Sequence, residues 1–287
     1  MKLIIIVIAF LTEQHLGPLE RLRDWKWFQA FADRLHGVFG ERTLWSGPLG
    51  VLVTLAVPLF VARVLLGYLD EHFWLGWVAA QIALLLYCLG PRDLIRLVDE
   101  HLRVLASGDA EKLKASSQSL TGHAELAAEQ RPQAVLESIF AGAQQQLFAI
   151  YFWFVVLGAA GALLVRGLAE LRTASSTRAL GFAHAAESLY AWLCWAPARL
   201  FAFGFALAGS LTHTFDRWSF QQTMHAEEND NLVKAAGLGA LQFDRGGQAL
   251  SSEEERDWVE QARGLVARNF LVWLTTLGVM TLGGWLV

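Results

Sequence analysis

The sequence predicts an all-α fold: a polytopic membrane helical bundle of five to six membrane segments with helical cytoplasmic extensions, built as one domain over residues 1–287. Three observations lead there. Of the 287 residues 54% are hydrophobic and 17% charged, against about 25% charged in ordinary soluble domains. The apolar residues gather in long uncharged blocks that a single soluble core does not need. Lys and Arg collect in alternate loops, as expected of a chain that threads back and forth through a bilayer.

Residues 1–11 (MKLIIIVIAFL) are short for a span. Thr12-Glu13-Gln14-His15 follows instead of a small-x-small cleavage site, so the stretch reads as an uncleaved first membrane segment. Residues 19–39 set Leu19, Leu22, Trp25, Phe28, Phe31, Leu35 and Val38 at helical spacing, with Arg21, Arg23, Lys26 and Arg34 mostly between them. Such an amphipathic helix either lies in the membrane interface or packs on other helices of the same protein. Residues 48–69 and 73–89 are strong spans separated only by Asp70-Glu71-His72, a tight hairpin. Gly90-Pro91 stops the second span and starts a helix with Leu94, Ile95, Leu97, Val98, Leu102 and Leu105 on its apolar face. Residues 108–131 are polar, with two short helices at most.

Residues 132–172 are the stretch around which the chain is organised. Pro132 suits a first helical turn. Gln144-Gln145-Gln146 leads into the unbroken apolar block 147–165, which carries Tyr151, Phe152, Trp153 and Phe154 and is closed by Arg166. As one helix, 132–166 would measure roughly 50 Å at 1.5 Å per residue. The hydrocarbon core is about 30 Å thick. The helix is therefore expected to cross with its C-terminal half, project a polar stem into water, and place its aromatic cluster at the interface. A further span covers 193–211, with Trp195, Pro197 and Arg199 inside it. After the polar region 213–250, Ser252 and Glu255 read as a capping box. That last helix carries Trp258, Ala262, Leu265 and Val266 on one face and runs into the final span, 270–287. The basic loops place regions of about 12–46, 91–146 and 213–269 in the cytoplasm and both termini outside.

The sequence carries no phosphate-binding loop, zinc-protease motif, nucleophile elbow or dinucleotide fingerprint, so no catalytic residue and no cofactor is assigned. The eight histidines show no ligand spacing, and no metal is expected. Cys88 and Cys194 lie in apolar blocks as packing residues. A net charge of -4 without a basic patch points to no nucleic acid; the partner that composition implies is the lipid bilayer. What stands out is charge inside spans. Arg63 and Arg199 each sit where a cation costs on the order of 2.5–3.5 kcal/mol, which by default means a bundle interior or a wet cavity. The alternative is snorkelling, with Arg63 only about two turns from Asp70. Pro197 opens the helix before Arg199 and frees a carbonyl. Glu137 or a bound anion is the partner expected for Arg199.

Five stretches occur in an order that resembles a known family. They are Gly90-Pro91-Arg92-Asp93-Leu94, Gly108-Asp109, Val135-Leu136-Glu137-Ser138, Phe152-Trp153-Phe154 with Arg166, and Trp195-Ala196-Pro197-Ala198-Arg199-Leu200. They resemble the CobD/CbiB superfamily of membrane-bound adenosylcobinamide-phosphate synthases. Within it the length, short first segment and C-terminal span look more like the AmpE proteins of β-lactamase induction. The resemblance implies a bacterial inner membrane. The ligand-binding candidates are Arg63 and Arg199, as charges inside spans, together with Glu137, Arg166 and Trp195 from the matching stretches. The synthases carry an acidic residue and an asparagine where this chain has Ala141 and Gly142, and an Asn-Thr-Leu-Asp motif where it reads Ala169-Glu170-Leu171-Arg172. Amide synthesis driven by ATP needs carboxylates to hold magnesium and phosphate. The expectation is therefore a regulatory or signalling protein of the AmpE type, partnered with proteins of cell-wall recycling and without synthase chemistry. Two alternatives stand beside it: a carrier for an anionic small molecule or lipid, and an amide-forming synthase.

Overall fold

The computed structural model describes residues 2–15, 24–39, 45, 47–89, 94–123, 126–173, 180–218, 224–244 and 250–284, and no strand occurs among them. The Gly90-Pro91 stop lies outside the described residues. The helices in order are α1 (Lys2–His15), α2 (Lys26–Phe39), α3 (Pro48–His72), α4 (Trp74–Cys88), α5 (Leu94–Ser107), α6 (Ala110–Thr121) and α7 (Arg131–Gly142). A π-helical segment (Ala143–Phe148) joins α7 to α8 (Ala149–Leu157). Then come α9 (Ala159–Thr173), α10 (Leu180–Ala208), α11 (Leu211–Arg217), a 3-10 turn (Ala226–Glu228), α12 (Asn229–Ala240) and α13 (Ser252–Leu282). Four helices, Pro48–His72, Arg131–Leu157, Leu180–Ala208 and Ser252–Leu282, are long and apolar enough to cross a membrane, and α4 is a shorter apolar helix. The chain is a multi-pass helical membrane protein.

The chain divides into two units. The first comprises Met1–Pro91, Ala149–Cys194 and Gly283–Val287. Its frame is the α3–α4 hairpin, which turns at Phe73, whose N–H donates to the Leu69 carbonyl at 2.8 Å. The two readings of α2 resolve in favour of packing on its own protein. Phe28 and Ala32 are buried, Gln29 Nε2 donates to Glu170 Oε2 at 2.8 Å, and Trp27 Nε1 donates to the Tyr87 hydroxyl at 2.6 Å. Trp27 and Val38 remain exposed on its other face.

The central stretch differs from its expected form. The helix does not continue to Arg166; it ends at Leu157, and Gly158 takes φ +70, a left-handed conformation that suits glycine. There the chain doubles back. A Cβ on Gly161 would lie 2.8 Å from the Trp153 carbonyl carbon and 2.9 Å from the Leu157 Cβ, so α8 and α9 cross in close contact. Gln81 Oε1 accepts the Ala159 N–H at 3.1 Å, capping the start of α9. Tyr151 and Phe154 are consequently buried rather than spread along an interface. Trp153 Nε1 donates to the Leu193 carbonyl at 2.9 Å. That carbonyl is the one Pro197, four residues on, has no N–H to satisfy.

The second unit comprises Arg92–Phe148 and Trp195–Leu282. Asp109 caps α6 through the N–H groups of Glu111 and Lys112, both at 3.2 Å, and Gly122 closes it with φ +74. Phe140 stacks edge-on to Phe205 at 5.1 Å, Phe148 meets Phe201 at 4.9 Å, and Asn269 Nδ2 donates to the Phe201 carbonyl at 2.9 Å. The capping box of α13 falls one residue earlier than expected. Ser251 and Glu254 bond reciprocally, with the Glu254 N–H on Ser251 Oγ at 3.3 Å and the Ser251 N–H on Glu254 Oε2 at 2.9 Å. Glu255 is thereby free to turn inward. It is fully buried and accepts from Arg131 Nη2 at 2.7 Å, while His101 Nε2 lies 3.7 Å from it. This junction joins α5, α7 and α13 some fifteen residues before the apolar part of α13 opens at Phe270.

Candidate functional site

The second unit gathers a second group of polar side chains, apart from the Glu255 junction, around Arg199. Arg199, on α10, lies over the Trp195 ring at 4.6 Å. It donates to the Trp195 carbonyl and the His225 carbonyl, each at 2.9 Å, and to Asn229 Oδ1. Asn229 opens α12, and its neighbour Asp230 accepts from Gln145 Nε2 at 2.7 Å. Asn231 in turn donates to Glu228 Oε2 at 2.7 Å. One seam thus joins the π-helical glutamines, the start of α12 and the cation of α10. The π-helix widens the turn that presents Gln144, Gln145 and Gln146; such segments recur at functional sites. Gln144 is buried, and its Nε2 has no partner. The Trp195 indole N–H is also buried without one. The seam therefore holds a fixed cation, the unsatisfied Trp195 indole N–H and hard carboxylate and carboxamide oxygens.

Of the candidates named from sequence, Trp195 and Arg199 come together. Oxygens of Asn229, Trp195 and His225 accept from the arginine, and Glu137 is not among these partners. Glu137, in the same unit, is half-buried and accepts from Gln133 Nε2 at 2.8 Å. Arg166 belongs to the first unit, where it is buried, paired with Glu170 and placed 5.8 Å from the Trp25 ring. Arg63 is exposed on α3 and runs toward the C-terminal end of its helix, Nη1 passing 3.2 Å from where a Cβ on Gly67 would be. That is a snorkelling posture. Sequence reasoning missed Asn229 and Asp230. The signal was there: Glu227-Glu228-Asn229-Asp230-Asn231 is an unbroken acid and carboxamide run ahead of a helix of small residues. Among the described residues no group of three His, Cys, Asp or Glu side chains is placed to hold a metal ion.

Two of the positions that depart from the synthase pattern, Gly142 and Arg172, pack closely against neighbours. A Cβ on Gly142 would meet Leu94 at 3.2 Å, and Arg172 lies over the Tyr190 ring at 4.3 Å. Comparison with known proteins overturns the regulatory reading drawn from those departures. A protein of Stutzerimonas stutzeri named "Cobalamin biosynthesis protein CobD" is 29% identical over 302 residues, covering 98% of this chain and 97% of its own. One of the same name from Chromobacterium violaceum is 32% identical over 178 residues, 60% of this chain and 57% of its own. Neither similarity points to β-lactamase induction or cell-wall recycling, and the AmpE assignment falls with them. No solved structure matches the chain. The family model described as "CobD/Cbib protein" matches residues 6–274, nearly the whole sequence. The chain belongs to the CobD/CbiB family.

Proposed function

We propose that this protein acts in cobalamin biosynthesis, in a bacterial inner membrane, as an amide-forming enzyme of the adenosylcobinamide-phosphate synthase type. The observation that carries the reading is the similarity to a protein named for cobalamin biosynthesis along essentially the whole of both chains. The seam around Arg199 supports it chemically. Joining a carboxyl group to an amine requires the two held together while negative charge on the activated carboxyl is neutralised. Arg199 supplies a fixed positive charge, held in place by three protein oxygens, beside which a carboxylate or phosphate would be neutralised. The unpartnered Trp195 indole N–H beside it suits a further acceptor oxygen of the substrate.

The synthases' polar residues are missing at Ala141 and Gly142, and three glutamines stand in the next helical turn. Among the described residues no carboxylate cage is formed, but magnesium on a phosphorylated substrate needs only one or two carboxylates besides the phosphate oxygens. Asp230 and Glu228 are the side chains that would serve, and the ion would neutralise phosphate charge there.

The test is growth. A strain lacking adenosylcobinamide-phosphate synthase, under conditions that demand that step, should be rescued by the full chain and not by its Arg199→Ala variant. A chain that accumulates in the membrane without rescue would overturn the reading.

A further inference from the structure

We infer that α8 and α9 form a re-entrant hairpin, entering the membrane and leaving it on the same face, with Gln81 as the residue that positions its tip. Three levels along the first unit fix the path. The tip lies at mid-depth, because Ala159 bonds to Gln81, which stands midway along α4. The exit lies beside α2, the start of α3 and the end of α4. There Gln29 bonds to Glu170, Trp25 stacks on Tyr87 at 5.0 Å beneath Arg166, and a Cβ on Gly167 would meet Leu55 Cδ2 at 2.8 Å. The entry lies on that side too, since Trp153, five residues before the turn, is level with Gly161, three residues after it. The turn at Phe73, with Asp70, Glu71 and His72 in the last turn of α3, is at the opposite end of the α3–α4 hairpin.

Length agrees. At 1.5 Å per residue α9 measures about 22 Å, short of the roughly 30 Å hydrocarbon core, while α8 is the last part of the continuous helix Arg131–Leu157, which breaks at Gly158. A break in a helix at membrane depth survives only where its backbone groups are satisfied inside protein. The Gly158 N–H bonds to the Phe154 carbonyl at 2.8 Å, and the Gly161 N–H bonds to the Gly158 carbonyl at 2.9 Å. Gln81 takes the Ala159 N–H between them. Arg166, Glu170 and Arg172 then belong to the face of α2, although hydropathy alone assigns them to the far side.

Cysteine labelling of the full chain tests this. Ala30→Cys, Thr173→Cys and Glu71→Cys each place one thiol at an exposed position, and the buried native Cys88 and Cys194 provide the blank. An impermeant maleimide is applied to intact cells and to inverted vesicles. Thr173→Cys should react from the same side as Ala30→Cys and from the side opposite to Glu71→Cys. Reaction of Thr173→Cys from the side of Glu71→Cys, or from neither side, would overturn the inference, as would all three reacting from one side.

Discussion

Substituting Gly237 by alanine tests the packing that holds α12, and with it Asn229 and Asp230. A Cβ at Gly237 would lie 2.5 Å from Phe140 Cγ and 2.7 Å from its Cε2, well inside ordinary carbon contact. Phe140 is fully buried and seated against Phe205. The ring cannot swing into solvent, so one helix must shift. Overpacking of this kind costs about 1–3 kcal/mol, and several ring atoms are involved, which favours the upper half of that range. Against it stands the helix preference for alanine over glycine, about 0.5–1 kcal/mol. The net expectation is a loss of about 1–2 kcal/mol. For a chain of this size that lowers the unfolding midpoint by roughly 2–6 °C. The assay is thermal unfolding of detergent-purified protein as a double-mutant cycle with Phe140→Leu. In the leucine background the new methyl has room, so Gly237→Ala should become neutral or slightly stabilising. An unchanged midpoint for Gly237→Ala alone, or an equal drop in both backgrounds, would refute the reasoning.

Three further outcomes follow from the same contacts. Gln81→Leu should cost about 1–3 kcal/mol, the penalty for a buried donor left unsatisfied, read as a lowered midpoint that Gln81→Glu partly restores. Glu255 gives a pH dependence. Burial pushes its carboxyl up, but hydrogen bonds and charge from His101 and Arg131 outweigh burial and hold it below the ordinary value. A depressed carboxylate stabilises above its unfolded value and loses that contribution as pH falls through the folded one, so the midpoint should drop in acid and Glu255→Gln should flatten the drop. Arg199→Lys should insert and accumulate normally yet fail to rescue the synthase-deficient strain, since an ammonium cannot reproduce the three-oxygen fork and the stacking on Trp195. Full rescue would reduce Arg199 to a bare positive charge.

The sequence was most legible where hydrophobic blocks and polar breaks coincide. Asp70-Glu71-His72 between two apolar runs dictated the α3–α4 hairpin, and the aromatic spacing of residues 25–38 dictated α2. It was least legible at Gly158, which is flanked by Val155, Val156, Leu157, Ala159 and Ala160. One glycine leaves hydropathy unchanged, and only the backbone reveals a left-handed residue. Ser251-Ser252 followed by Glu253-Glu254-Glu255 permits two capping registers, and the one adopted depends on Arg131 and His101 from distant helices. Arg199 could be picked out as a charge in an apolar block, whereas its partner Asn229 is thirty residues away. The functional reading went astray because absent residues at fixed motif positions were taken as absent chemistry.

The turn at Gly158 also sets an order of assembly. During synthesis, residues 147–165 reach the membrane as an apolar stretch long enough to be read as a full crossing. Nothing within that stretch supplies the acceptor that its break at Ala159 requires. Gln81 does, and it lies 78 residues earlier in the chain, so it is already in the bilayer when Ala159 emerges. The early α3–α4 hairpin thus serves as a template on which a later segment is folded back, and biogenesis of the second hairpin depends on completion of the first.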